Sequence, residues 1–132
     1  MTDEEFIEQL ESCRLPEIHL SHSEHVRAGY LYLRCNRFPE AVVKMCNAIR
    51  NYTQSLGKAE RYHETITIGF MALIQQSLKK RESWSEWEEF KAANPNLFAK
   101  GALRAYYPAE ILDSPAARSS FVLPPPRYAA LR

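Results

Sequence analysis

The sequence predicts an all-α fold, a compact bundle of about four main helices followed by short C-terminal helices and an extended proline-rich tail. Three observations predict it. Apolar residues recur at helical spacing in four separate segments, serine and proline start signals stand just ahead of them, and no segment alternates apolar with polar as a half-buried strand would. The 132 residues, 45% hydrophobic and 25% charged, suffice for one domain, 1–132, with its core within about 3–112 and a C-terminal extension, 113–132, packing on it.

Asp3 can cap a first helix running to about Cys13, with Phe6, Ile7 and Leu10 on one face. Leu15-Pro16 ends it. Ser21-His22-Ser23-Glu24 reads as a capping box, so a second helix starts at His22 and runs to about Cys35. Asn36-Arg37 is a tight connection, and Pro39 opens a third helix whose apolar face is Ala41, Val42, Met45, Ile49 and Tyr52, with Gly57 as its stop. A fourth helix spans about Glu60 to Lys80 behind the stripe Ile66, Phe70, Leu73 and Ile74. Ser83-Trp84-Ser85-Glu86 resembles a second capping box, opening a short helix with Trp84, Trp87 and Phe90 on one side. Asn94-Pro95 and Ser114-Pro115 each predict a short helical turn, and Leu103–Tyr107 with Pro108–Leu112 predicts another helical piece. Phe121 to Pro126 cannot be helical through its prolines and is predicted to lie extended against the bundle.

Bulk properties narrow the function classes. A formal net charge of +1 gives no basic excess for nucleic acid or an anionic membrane surface. The longest apolar stretch, Ile66 to Ile74, is too short to span a bilayer, and the acidic start lacks the pattern of a secretory signal. Cys13, Cys35 and Cys46 form neither a disulfide framework nor a CxxC metal site, so buried thiols in a cytoplasmic protein, monomer or homodimer, are expected.

The chemistry-bearing residues gather in two places. His22 and His25 lie about 60° apart on the core-facing side of the second helix, and Gly29, one turn below His25, leaves space there for a ligand. His63 shares the inward phase of Thr67, Phe70 and Ile74 on the fourth helix. In an up-down bundle these two helices run parallel, so the imidazoles of His22, His25 and His63 can converge. Three histidines suit a divalent Zn, Fe or Cu ion with an open coordination position. Without metal, His25 and His63 can form an acid/base pair acting on a small molecule, with Glu64 as base and Tyr62 as proton donor or contact. A purely structural role for these histidines is a third reading. From a different class comes a protein-interaction module: Gly29, Tyr32, Phe38, Ala41, Met45 and Ala48 stand at the spacings of a tetratricopeptide helix pair, although the pattern does not repeat after Leu56.

The run His22 to Leu33, the motif Tyr62-His63-Glu64-Thr65-Ile66-Thr67, and Tyr106-Tyr107, Ser114-Pro115 and Phe121-Val122-Leu123-Pro124 together resemble a widespread family of small, uncharacterised all-α bacterial proteins. Its members share a histidine-pair helix start and a Tyr-His-Glu-Thr motif in that order. The resemblance covers about residues 15–124 and implies His22, His25, Tyr62, His63 and Glu64 as site positions, without implying a reaction. Gly29-Tyr30 stands here where many members carry Ala-Trp, which bears on the shape of any pocket.

Overall fold

The computed structural model describes residues 1–99 and 101–126. Four principal helices, α1 (Asp3–Glu11), α2 (His22–Cys35), α3 (Phe38–Ser55) and α4 (Glu64–Leu78), are followed by α5 (Trp87–Ala93), α6 (Ala109–Leu112) and α7 (Pro115–Ser119), with 3₁₀ turns between; no strand occurs among the described residues. The expected all-α architecture is present.

Local capping explains most of these boundaries. Thr2, rather than Asp3, caps α1: its hydroxyl accepts from the Glu5 amide at 3.1 Å while the Glu5 carboxylate accepts from the Thr2 amide at 3.2 Å. The helix ends at Glu11, two residues short of the expected Cys13, because Cys13 adopts φ 62° and closes a Schellman turn through Cys13 N–H to Leu10 O and Arg14 N–H to Gln9 O. The same motif ends α3 at Gly57, with Gly57 N–H to Gln54 O and Lys58 N–H to Thr53 O. There φ is +71° and glycine carries it without strain. At α2 the Glu24 carboxylate accepts from both the amide and the hydroxyl of Ser21.

The second predicted capping box works one step later than expected. Ser85, not Ser83, donates its amide and hydroxyl to Glu89, and α5 begins at Trp87. A seven-residue helix cannot sustain itself in water. Trp84, Trp87 and Phe90 hold it by packing on Tyr30, Val26 and Ile74, each buried side chain contributing about 1.5–3 kcal/mol.

The other half of the core joins Phe6 and Leu10 of α1 to Tyr32 of α2, to Ala41, Met45, Ala48 and Tyr52 of α3, and to Met71 of α4. The α2–α3 hairpin at tetratricopeptide-like spacing therefore has its interior residues covered by α1 and α4. Helix α2 crosses α4 closely at Gly29. A Cβ there would come within 2.8 Å of Ile74 Cδ1 and 2.9 Å of Met71 Sδ. The space beside Gly29 is thus filled by α4 and is not open to a ligand, which corrects the expectation drawn from the sequence.

The chain then returns over the start of α4. Thr65, fully buried, donates its hydroxyl to Ser120 O at 2.8 Å and accepts from the Val122 amide at 3.1 Å; Tyr107 O–H donates to Val122 O at 2.6 Å. Residues 121–125 carry no regular secondary structure, whereas Pro126, expected to be extended with them, stands in a helical conformation. This latch holds α7 beside the N-terminal end of α4. The rest of the predicted tail, 127–132, lies outside the described residues.

Candidate functional site

One cavity of about 280 Å³ lies where α2, α3 and α4 meet, and His22, His25 and His63 all line it. Helix α4 starts later than the sequence suggested, at Glu64 rather than near Glu60, because Ala59–Arg61 forms a 3₁₀ turn and His63 itself is the N-cap. The apolar wall includes Val26, Ile49, Ile66, Phe70 and Met71. The polar wall is Tyr62, Thr67 and the three histidines, with exposed Arg61 and Arg118 at the rim. No carboxylate lines it.

The ring nitrogens distinguish the three histidines. His63 is buried, and both of its nitrogens are engaged: Nδ1 accepts from the Ile66 amide at 3.1 Å and Nε2 donates to Leu112 O at 2.7 Å. A carbonyl only accepts and an amide only donates, so the tautomer is fixed and no lone pair is left over. His22 donates from Nε2 to Leu97 O at 3.0 Å and rests edge-on against Phe70, with centroids 5.0 Å apart. His25 donates from Nδ1 to Ser21 O at 3.0 Å, which leaves Nε2 as the acceptor. The His25 ring keeps some accessible surface because it faces the cavity, yet protein surrounds it. That burial, more than the neighbouring His22, pushes its pKa below the ordinary 6.5, while the Ser21 carbonyl and Glu24 pull the other way. His25 is neutral at pH 7.

This arrangement does not fit the three-histidine centre considered for Zn, Fe or Cu. Coordination by His63 would require breaking either its cap on Ile66 or its bond to Leu112, and among the described residues no group of three or more His, Cys, Asp or Glu is disposed to hold a metal ion. The same occupancy leaves His63 no nitrogen for proton transfer to a ligand; its engaged contacts are those of a helix cap that ties α4 to α6.

Glu64 is not on the cavity wall. It faces a neighbouring hollow with Arg50, Thr53 and Glu60, where its carboxylate accepts the Tyr62 O–H. Tyr62 and Arg118 line both hollows. Burial first, then its hydrogen bonds with Cys46 and Glu64, raise the Tyr62 pKa strongly, so the phenol stays protonated and its proton is committed to Glu64. Tyr62 can therefore accept from a ligand but not donate to one in this arrangement.

Two rim residues have no counterpart in the sequence reading, and one neighbour, Cys46, was expected there only as a buried thiol and is half-buried. Arg61 adjoins Tyr62 and could have been noticed. Arg118 arrives from α7 and is held by its Nη1 donating to Glu60 O at 2.7 Å and Tyr62 O at 3.3 Å, contacts 58 and 56 residues away that no local pattern announces. Cys46 reaches the Tyr62 phenol from α3, where burial raises its thiol pKa.

Compared with family models, curated proteins and solved structures, the chain matches none. The roles of these residues rest on their geometry alone.

Proposed function

We propose that this protein binds a small organic molecule in the cavity between α2, α3 and α4 and that His25, without a metal, accepts a hydrogen bond or a proton from it. One observation carries the reading. A neutral imidazole of fixed tautomer, its Nδ1 committed to Ser21, keeps an acceptor Nε2 on the wall of a largely apolar hollow. Such a hollow is near the small end of the ~300–1,000 Å³ range of ligand cavities, and a base tuned neutral at pH 7 suits acid/base work. In this reading His22 and His63 position the walls, Phe70 and Met71 contact the ligand's apolar part, and Tyr62 accepts from a ligand donor.

Ligand-observed NMR with a fragment set, run in parallel on Thr67→Phe, tests it. Thr67 lines the cavity, so the added ring takes up space there and fragments that bind the wild type should lose binding in the variant. A second measurement reads His25 directly. Long-range ¹H–¹⁵N spectra at pH 7 should show its Nδ1–H tautomer and a ring shift when a fragment binds. If no fragment depends on position 67, the reading fails.

A further inference from the structure

Charge at the cavity identifies the class of ligand. The lining contains two arginines and no carboxylate, and five or more of its side chains are hydrocarbon. Both arginines have donors to spare. Among the described residues each engages partners through Nη1 only, Arg118 with the carbonyls of Glu60 and Tyr62 and Arg61 with Glu17 at 2.7 Å, whereas a guanidinium carries five N–H groups. Glu17 also takes Lys58 Nζ at 2.8 Å, so it stays paired if Arg61 turns away. An exposed ion pair of this kind contributes little and is readily exchanged for a ligand carboxylate held bidentately. Glu60 and Glu64 line the adjoining hollow, which Arg118 also borders, and the Glu64 carboxylate there is taken up by the Tyr62 hydroxyl.

From this we infer that the ligand is a small organic acid, a compact hydrocarbon body carrying one carboxylate, with the carboxylate at Arg61 and Arg118 and the body against Ile66, Phe70 and Met71. The inference rests on the ligand-binding reading above and names the class of molecule that the same cavity takes.

Hexanoate, 1-hexanol and hexylammonium share a chain length and differ in the head group, so they serve as probes. Isothermal titration at pH 7 should give hexanoate about tenfold tighter binding than 1-hexanol and no measurable binding of hexylammonium, the tenfold being the usual order for a charge-assisted pair at a partly exposed site. The preference for the acid should shrink to about twofold in Arg61→Gln and in Arg118→Gln, return in Arg61→Lys and Arg118→Lys, and fall with added salt. Because Arg118 also ties two loop carbonyls, thermal melts of its variants accompany the titrations, and the Lys forms keep the question answerable if the Gln form is unstable. Equal binding of hexanoate and 1-hexanol, abolished in Thr67→Phe, would overturn the organic-acid inference while leaving the cavity as a ligand site. An acid preference indifferent to both arginines would overturn it as well. If none of the three probes binds in a manner sensitive to position 67, the inference falls together with the reading beneath it.

Discussion

Helix α2 contributes to two hollows at its two ends, and they differ in how their polar groups are used. Its first turns face the histidine cavity of about 280 Å³. Its last turns, with α1 and the approach to α5, form a groove of about 850 Å³ containing Asp3, Glu4, Glu8, Glu11 and Glu86 beside Tyr30, Tyr32 and Trp87. The groove is three times larger and more charged, and several of its polar groups already have partners. Asp3 pairs with Arg27 at 2.5 Å, Glu8 pairs with Arg14, Glu11 accepts from Tyr32 at 2.6 Å, and Arg34 donates to Tyr30. In the smaller cavity, His22 Nδ1, His25 Nε2 and most of the two guanidinium edges have no protein partner among the described residues. Hydrogen-bonding capacity left unspent beside an apolar wall favours a ligand more than size does, because bonds are gained there without first displacing internal ones.

Substitutions at four positions sharpen this contrast, and the largest effect is expected at His63. His63→Ala removes a helix cap and leaves Leu112 O without its buried donor, so it should cost about 3 kcal/mol in urea unfolding. His63→Asn, which can still cap, should recover part of that loss. A His63→Ala protein of unchanged stability would mean that the histidine is not the structural tie described here.

Gly29→Ala comes next and acts on the cavity from behind. The new methyl group must displace the tips of Ile74 and Met71, both of which line the hollow. Those tips can yield and alanine favours the helix, so stability should change by no more than about 1 kcal/mol. Hexanoate affinity should fall several-fold as the displaced tips enter its space; undiminished affinity would place the binding site elsewhere.

In the groove, Glu11→Gln replaces a charge-assisted bond to Tyr32 by a neutral one. It should cost at most about 1 kcal/mol and leave probe binding untouched. A loss of probe affinity in this variant would erase the functional distinction between the two hollows.

The smallest effect is a pH dependence. The folded His25 binds a proton less readily than the unfolded side chain with its ordinary value of 6.5. Its contribution to stability is therefore complete above about pH 6.5 and declines as the pH falls below it through the lowered folded value. His25→Gln should flatten that part of the stability profile relative to wild type, a difference visible in melts taken at half-unit steps from pH 7.5 to pH 5. Parallel profiles for the two proteins would show that His25 is not depressed.

The sequence by itself determined where α2 and α3 begin and end, and the physical reason is that caps are short-range. Ser21 with Glu24, Ser114 with Ala117, and Gly57 with the last turn of α3 all act within five residues, so their residue types announce them. The inward phase of His22 and His25 was legible for the same reason, since helical periodicity fixes a face without knowledge of the neighbour; His63 reaches the cavity instead as the non-helical N-cap of α4. Even local signals misled where two candidates competed, as with Thr2 against Asp3 and Ser85 against Ser83. Only the tertiary structure decided what the imidazoles meet at long range. His22 spends Nε2 on Leu97 O and His63 spends Nε2 on Leu112 O, partners 75 and 49 residues away; with the local Ile66 cap on its other nitrogen His63 keeps none, while His22 and His25 each keep one. It likewise brought Arg118 to the rim through the Thr65 latch and closed the gap beside Gly29 with α4. Hydrogen-bond capacity is allotted by whatever the folded chain brings within 3 Å, and that assignment is not encoded in spacing along the sequence.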